Sequence, residues 1–399
     1  MTETSQKAAR GARRRSLLKP AVVGLLLGAA LLLVACGGGG SSSSSSASSG
    51  PKSTPGADTN TVAGYSKCAP SGASTSLSGA GATFPFPLYS KWIDRYGKEC
   101  NVKIDYQSVG SGAGIQQITA KTVDFGASDG IMSDAQEKAA SDAGGPIMHI
   151  PMTLGPEAVV FNLPGIQANQ LKLAPDVLAD IYFKKISKWN DQRITSVNPG
   201  VSLPNADITV VHRSDGSGTT FIFTNYLSKV SDEWKTKVGF ANSVDWPGDV
   251  GGQGNEGVAG QVRQLVGSIG YVELAYATQN NLVFAQMKNR AGNFVSPTLD
   301  NASSAAAGVT LPDDMKVLIT DSSNPQAYPI TGFTWVLAYA NAQDSAKGKT
   351  LAYYLWWAVH DGQKLSTTIG YAPLPSDAVK KAEVEILKLS CGSAPCLAK

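Results

Sequence analysis

Ile208-Thr209-Val210-Val211-His212-Arg213-Ser214-Asp215-Gly216-Ser217-Gly218-Thr219-Thr220-Phe221-Ile222-Phe223-Thr224-Asn225-Tyr226-Leu227 is the stretch on which the fold turns. Ile208, Val210 and Val211 are β-branched and apolar, which reads as a strand. Phe223, Tyr226, Leu227 and Val230 then recur at i, i+3, i+4 and i+7, the spacing of one helical face. Between them lie small residues with hydroxyls, an arginine and an aspartate. A strand, a flexible loop and a helix start are the unit of an α/β protein. In such a unit the free N–H groups and the positive helix end face whatever sits above the loop, which favours an anion.

Two further stretches repeat this arrangement. Gly79-Ala80-Gly81-Ala82-Thr83-Phe84 precedes a helical pattern in which Leu88, Trp92 and Tyr96 share a face. Gly110-Ser111-Gly112-Ala113-Gly114 separates the alternating Val102, Ile104 and Tyr106 from a helix starting at Ile115 and Ile118. One glycine-rich turn is required by any α/β protein, but three on one chain point to an anion site. None contains Gly-x-x-x-x-Gly-Lys-Ser/Thr, so a nucleotide-phosphate loop is excluded, and no Gly-x-Gly-x-x-Gly with a later acidic residue supports a dinucleotide. A fourth stretch, Val123-Asp124-Phe125-Gly126-Ala127-Ser128-Asp129-Gly130, begins as a strand and ends on a carboxylate. Taken alone, Asp129 reads as a turn residue or as the cap of a helix starting near Ser133. Asp215 reads either as a turn aspartate or as the group that orients Arg213.

The remaining sequence is consistent with a packed, loop-rich protein. It has 399 residues, 42% hydrophobic and 16% charged, with 42 glycines and seven tryptophans, enough for two ordinary cores. Trp335 to Ala340 reads as a strand and the aromatic run 351 to 359 as a buried helix. The formal charge of +3 is misleading, because residues 1 to 35 hold six of the 34 basic residues and one of the 31 acidic ones, leaving 28 against 30. A nearly neutral body offers no footprint for nucleic acid.

Residues 1 to 35 read as a signal peptide: a basic stretch through Lys19, then an apolar run too short to span a bilayer. Leu33-Val34-Ala35-Cys36 resembles the bacterial lipobox, which makes Cys36 the lipidation site. Arg14-Arg15-Ser16-Leu17-Leu18-Lys19 resembles a twin-arginine signal, so the export route stays open. Residues 36 to 67 begin with Gly37 to Gly40 and Ser41 to Ser46 and read as a flexible lipidated tether. The expected location is therefore exported, lipid-anchored on the outer face of the cytoplasmic membrane or in the periplasm. Cys68, Cys100, Cys391 and Cys396 remain, an even set with three pairings. Local spacing favours Cys391 with Cys396, and then Cys68 with Cys100. A zinc site would need close Cys-x-x-Cys pairs and nearby histidines, so no metal is expected.

Together, the four stretches closely resemble the phosphate-binding proteins of bacterial high-affinity phosphate ABC transporters. The resemblance covers roughly residues 77 to 357 and includes Tyr182 through Trp189-Asn190, Trp246-Pro247, Gly251-Gly252-Gln253-Gly254-Asn255-Glu256-Gly257 and Gly270-Tyr271-Val272-Glu273. It implies an α/β, two-lobed class II periplasmic-binding-protein fold with a hinged interlobe cleft. One lobe would comprise residues 68 to 150 and 330 to 399, the other 151 to 329. It places the phosphate contacts on Thr83, Phe84, Ser111, Asp129, Arg213, Ser217, Gly218 and Thr219, with Asp215 supporting the arginine. Phe84 and Gly218 would contribute backbone N–H groups. The implied partners are inorganic phosphate and the membrane permease subunits of the transporter, with no cofactor, and a monomer is expected. Two other roles compete: an exported phosphate sensor or scavenger on the same fold, and an exported hydrolase using Ser217 with one of His149, His212 and His360. The order Asp215-Gly216-Ser217-Gly218-Thr219 lacks the Gly-x-Ser-x-Gly elbow that such a hydrolase would use.

Overall fold

A computed structural model describes residues 61–398 other than Ala63, Asp249 and Gly308. The expected signal peptide, Cys36 and most of the expected tether therefore lie outside the described residues. Its framework is a nine-stranded sheet. Strands β1 (Ser76–Gly81), β2 (Lys103–Ser108) and β3 (Phe125–Ser128) form one parallel block, with β1 between the other two. β4 (Ile147–Phe161) is a long strand, and β5 (Thr209–Arg213), β6 (Val250–Gly252) and β7 (Ser268–Glu273) form a second parallel block. β8 (Thr331–Tyr339) lies antiparallel between β3 and β4.

β4 joins the blocks. Residues from Ile147 to Pro156 pair with β8, and those from Glu157 to Phe161 pair with β7. One uninterrupted strand thus serves two ladders, changing partner between Pro156 and Glu157. Nearly every β4 residue is buried, as expected for a strand covered on both faces.

Helices pack on both blocks through the faces that the periodicity foretells. In α1 (Phe86–Cys100) Leu88, Tyr89, Trp92 and Tyr96 are buried, and the Trp92 indole donates to the Gly362 carbonyl at 2.7 Å. Burial of each such side chain contributes roughly 1.5–3 kcal/mol. α2 (Ser111–Thr119) follows β2, and α3 (Gly218–Val230) follows β5. α4 (Gly254–Gln264) follows β6, and α5 (Ser345–Val359) is the aromatic helix, buried almost throughout. In the second block Phe223 of α3 stacks on Tyr271 of β7 at 4.2 Å between ring centroids. That contact fixes the helix whose first turn enters the site.

Gly79 and Gly81 belong to β1 and not to the loop before α1, where the sequence places them. The reason is close approach: a Cβ at Gly81 would lie 2.1 Å from the Ala127 carbonyl oxygen, and Gly81 has φ +145°. The turn itself is Ala82 to Pro85. The helix near Ser133 is capped by Ser133, in a reciprocal capping box with Gln136, which leaves Asp129 free of that duty.

Tyr65, inside the stretch expected as tether, is buried with its ring 4.6 Å from that of Trp356. Cys68 is bonded to Cys100 at the end of α1, and Cys391 to Cys396 in the terminal hairpin. The second pair lies on α5, where a Cβ at Gly348 would come within 2.8 Å of the Cys391 sulfur. Because the 68–100 bond spans 32 residues and the other only five, the former restricts the unfolded chain more. The double substitution Cys68→Ser with Cys100→Ser should cost about 3 kcal/mol, more than Cys391→Ser with Cys396→Ser. Denaturant unfolding of the two variants checks this, and equal losses would contradict it.

Candidate functional site

Thr83, Ser111 and Asp129 each stand just beyond the C-terminal end of a parallel strand of the first block. Arg213 ends β5 in the second block, and Ser217, Gly218 and Thr219 open α3. The carboxyl ends of the two blocks therefore converge, which is where ligands bind in open α/β sheets. The loops touch directly. Gly112 N–H donates to the Gly216 carbonyl at 2.9 Å, and Gly218 N–H donates to Ser111 Oγ at 3.0 Å. Two glycines make this approach possible: a Cβ at Gly110, where φ is +92°, would lie 2.4 Å from Asp215 Oδ2, and one at Gly218 would lie 2.5 Å from the Asp129 Cβ.

Arg213 brings a formal positive charge into a buried place, its side chain 1% exposed. Asp215 answers it with two hydrogen bonds, Nε to Oδ1 at 2.7 Å and Nη2 to Oδ2 at 2.5 Å. Burial works against the charge on the guanidinium, but Asp215 outweighs it and raises the Arg213 pKa. Burial likewise opposes ionisation of Asp215, and Arg213 nonetheless brings its carboxyl below the ordinary range. The backbone N–H of Gly254 donates to Asp215 as well, at 3.0 Å. The pair is thus a fixed fork, and one of the three N–H groups it leaves over, on Nη1, reaches Thr219 Oγ1 at 3.3 Å.

Asp129 is 1% exposed, with much weaker support. Its N–H donates to Ser111 Oγ at 3.2 Å, and the Ser111 hydroxyl is 3.5 Å from Oδ2. Oδ1 has no protein partner among the described residues. Burial is the dominant influence and lifts its pKa to about 7, against smaller opposing effects from Thr334, Arg213 and Ser111. A buried acceptor without a partner, among groups that donate, is the chemical signature of this site.

Thr83 and Thr219 are held by a residue to which the sequence gives no role. Asn255, in the first turn of α4, donates through Nδ2 to Thr83 Oγ1 at 2.8 Å and to Thr219 Oγ1 at 3.0 Å. Tyr276 donates to the Thr83 carbonyl and Tyr371 to the Phe84 carbonyl, each at 2.6 Å. Ser217 caps α3, accepting from Thr220 N–H at 3.0 Å. Asn255 sits in the quoted Gly251–Gly257 stretch, so the signal was present but mute: nothing in spacing reveals which loop meets which. None of the three histidines hydrogen-bonds Ser217 among the described residues. The His212 ring stacks on Trp246 at 4.9 Å. His149 is buried, which depresses its pKa to about 3, and its Nε2 accepts from Met132 N–H at 3.3 Å. His360 reaches Glu383 at 2.7 Å. No group of His, Cys, Asp or Glu among the described residues could hold a metal ion.

Two α/β blocks carried by shared crossing strands, with a buried polar site between their carboxyl ends, define a substrate-binding protein of the periplasmic-binding-protein type. Residues 56–356 match the PBP superfamily domain. The chain is 46% identical over 312 residues to the phosphate-binding protein PstS of Xylella fastidiosa, covering 78% of this chain and 84% of the relative. It is 44% identical to that of Haemophilus influenzae, covering 76% and 90%. It belongs to the PstS phosphate-binding protein family. Solved structures agree on the two-lobed fold. A periplasmic phosphate-binding protein (PfluDING) bound with phosphate has a TM-score of 0.63 at 23% identity, covering 79% of this chain and 96% of that one. A putative phosphate ABC transporter substrate-binding protein of Clostridium perfringens has 0.54 at 15%, covering 75% and 100%.

The raised Asp129 has a consequence for stability. Its folded pKa of about 7 lies above the ordinary 3.8, so the folded ligand-free protein holds a proton that the unfolded chain releases. That contribution is fully present below about pH 4 and is lost as pH rises through about 7. The difference in unfolding free energy between wild type and Asp129→Asn should therefore move against wild type over this window. A difference independent of pH would contradict it.

Proposed function

We propose that the protein binds inorganic phosphate outside the cytoplasm and passes it to the membrane permease of a phosphate ABC transporter. Membership of the PstS family supports the ligand and the transporter. The observation that carries the reading is Asp129 Oδ1, a buried acceptor without a protein partner among the described residues, on a carboxyl close enough to Arg213 to feel its charge. An anion that only accepts would leave that oxygen facing lone pairs. Phosphate both accepts and, near neutral pH, still carries hydrogen, since its second pKa is roughly 6 to 7.

In this reading Arg213, Thr83, Ser111, Ser217 and Thr219 donate to phosphate oxygens, together with the backbone N–H groups of Phe84 and Gly218. Asp215 keeps the guanidinium in place. Gly218 N–H also donates to Ser111 Oγ at 3.0 Å, so its contact with phosphate is a bifurcated one. The lobes are residues 68 to 150 with 330 to 399, and residues 151 to 329, crossing along β4 and β8, and phosphate holds both. A lipid at Cys36, the cysteine of Leu33-Val34-Ala35-Cys36, anchors the monomer outside the membrane.

Sulfate brings no hydrogen, so it fits only when Asp129 is itself protonated. Sites built to hydrogen-bond a ligand's hydroxyl can reject the analogue lacking it on the order of 10⁴-fold. Calorimetry of wild type should show phosphate preferred, with sulfate affinity falling about tenfold per pH unit above about pH 7 as Asp129 ionises. Asp129→Asn should gain sulfate relative to phosphate and lose that pH dependence. Failure of wild type to bind phosphate would overturn the function, and an unchanged preference in the variant would overturn the role of Asp129. For the anchor, Cys36→Ser should move the exported protein from the membrane to the soluble fraction, and unchanged membrane retention would remove it.

A further inference from the structure

Thirty-five residues separate Asp215 from Gly251, and Asn255, which is fully buried, bridges the two stretches in space. Its orientation is fixed from the far side. The backbone N–H of Glu273 donates to Asn255 Oδ1 at 2.9 Å, and because an N–H can only donate, that atom is the carbonyl oxygen. The amide nitrogen must then face the site, where its two hydrogens go to Thr83 Oγ1 and Thr219 Oγ1.

Each threonine oxygen has two lone pairs and one hydrogen. At Thr83 the lone pairs are taken by Asn255 Nδ2 at 2.8 Å and by Asn255 backbone N–H at 3.2 Å. At Thr219 they are taken by Asn255 Nδ2 at 3.0 Å and Arg213 Nη1 at 3.3 Å. Neither hydroxyl finds an acceptor of its own among the described residues. Both are thereby committed as donors.

We infer that Asn255 is a positioning residue that fixes the Thr83 and Thr219 hydroxyls as hydrogen-bond donors toward the bound anion. The inference rests on the phosphate reading above and deepens it, since Asn255 itself need not touch phosphate. A free hydroxyl rotates and presents either a hydrogen or a lone pair; these two present only hydrogens. Thr83 belongs to the first block and Asn255 to the second, so the bond between them forms where the blocks meet. Closure and donor alignment are then one event.

The test is a mutant cycle read by phosphate calorimetry on the mature, folded protein. Asn255→Ala should weaken phosphate binding about tenfold, as two hydroxyls lose their orientation. In a Thr83→Val, Thr219→Val background the same substitution should cost little, because no hydroxyls remain to orient. Equal losses in both backgrounds would mean a purely structural role and overturn the inference, as would unchanged affinity in Asn255→Ala. Should Asn255→Ala fail to fold, Asn255→Asp serves. It keeps the shape and the Glu273 bond but accepts from both hydroxyls and turns them away. Its loss should exceed tenfold and should shrink in the valine background, whereas an undiminished loss reflects charge alone and counts against the idea. Wild type that binds no phosphate would instead sink the functional reading, so the two failures are distinct.

Discussion

A guanidinium almost sealed from solvent is tenable only if something negative holds it, and much of this site follows from that demand. Asp215, two residues beyond Arg213, satisfies it through a fork of two short bonds. Asp215 in turn needs Gly254 N–H at the start of α4 and a neighbour without a Cβ at Gly110. The ion pair thereby fixes the β5 loop against α4 in its own block and α2 in the other. Tyr271 completes the frame, its oxygen accepting from Arg213 N–H at 3.1 Å and lying 2.7 Å from Thr220 Oγ1. Replacing either member of the pair leaves a buried charge unmatched, so loss of ligand and loss of local structure arrive together.

Next to this compensated pair stand carboxyls that make no salt bridge among the described residues. Glu157 and Glu273 face each other across the first rung of the β4–β7 ladder, both fully buried. Burial pushes both pKa values well above the ordinary range, and the nearby Asp129 adds to the effect. Two carboxyls whose burial favours the protonated form thus sit where the crossing strand changes partner.

The layout of the site was legible because three strand-loop-helix units carry their small residues at the carboxyl ends of strands, and because Arg213 and Asp215 are only two residues apart. The buried faces of α1, α3 and α5 were legible for the same reason, being local periodicities. What stayed hidden was what depends on contacts between distant stretches. The assignment of Gly79 and Gly81 to a loop missed that β3 crowds them, since crowding is set by a neighbour 46 residues away or so. Asn255, Tyr276 and Tyr371 brace Thr83 and Phe84 from sequence positions far downstream, and no spacing rule connects them. Taken alone, Asp129 reads as a turn residue or a helix cap, whereas it is Ser133 that caps the helix.

The position of β8 has a bearing on how the molecule is made. Residues 157 to 330 are continuous in sequence, so the second block has all its strands as soon as that stretch exists. The first block does not: β3 and β4 have nothing between them until Thr331–Tyr339 arrives. On a chain emerging from its N-terminus, two apolar strand edges wait while about 170 residues are made before the strand that will lie between them. The last steps of folding are therefore assigned to the end of the chain, and truncation before residue 339 would leave a finished second block beside a sheet that cannot close.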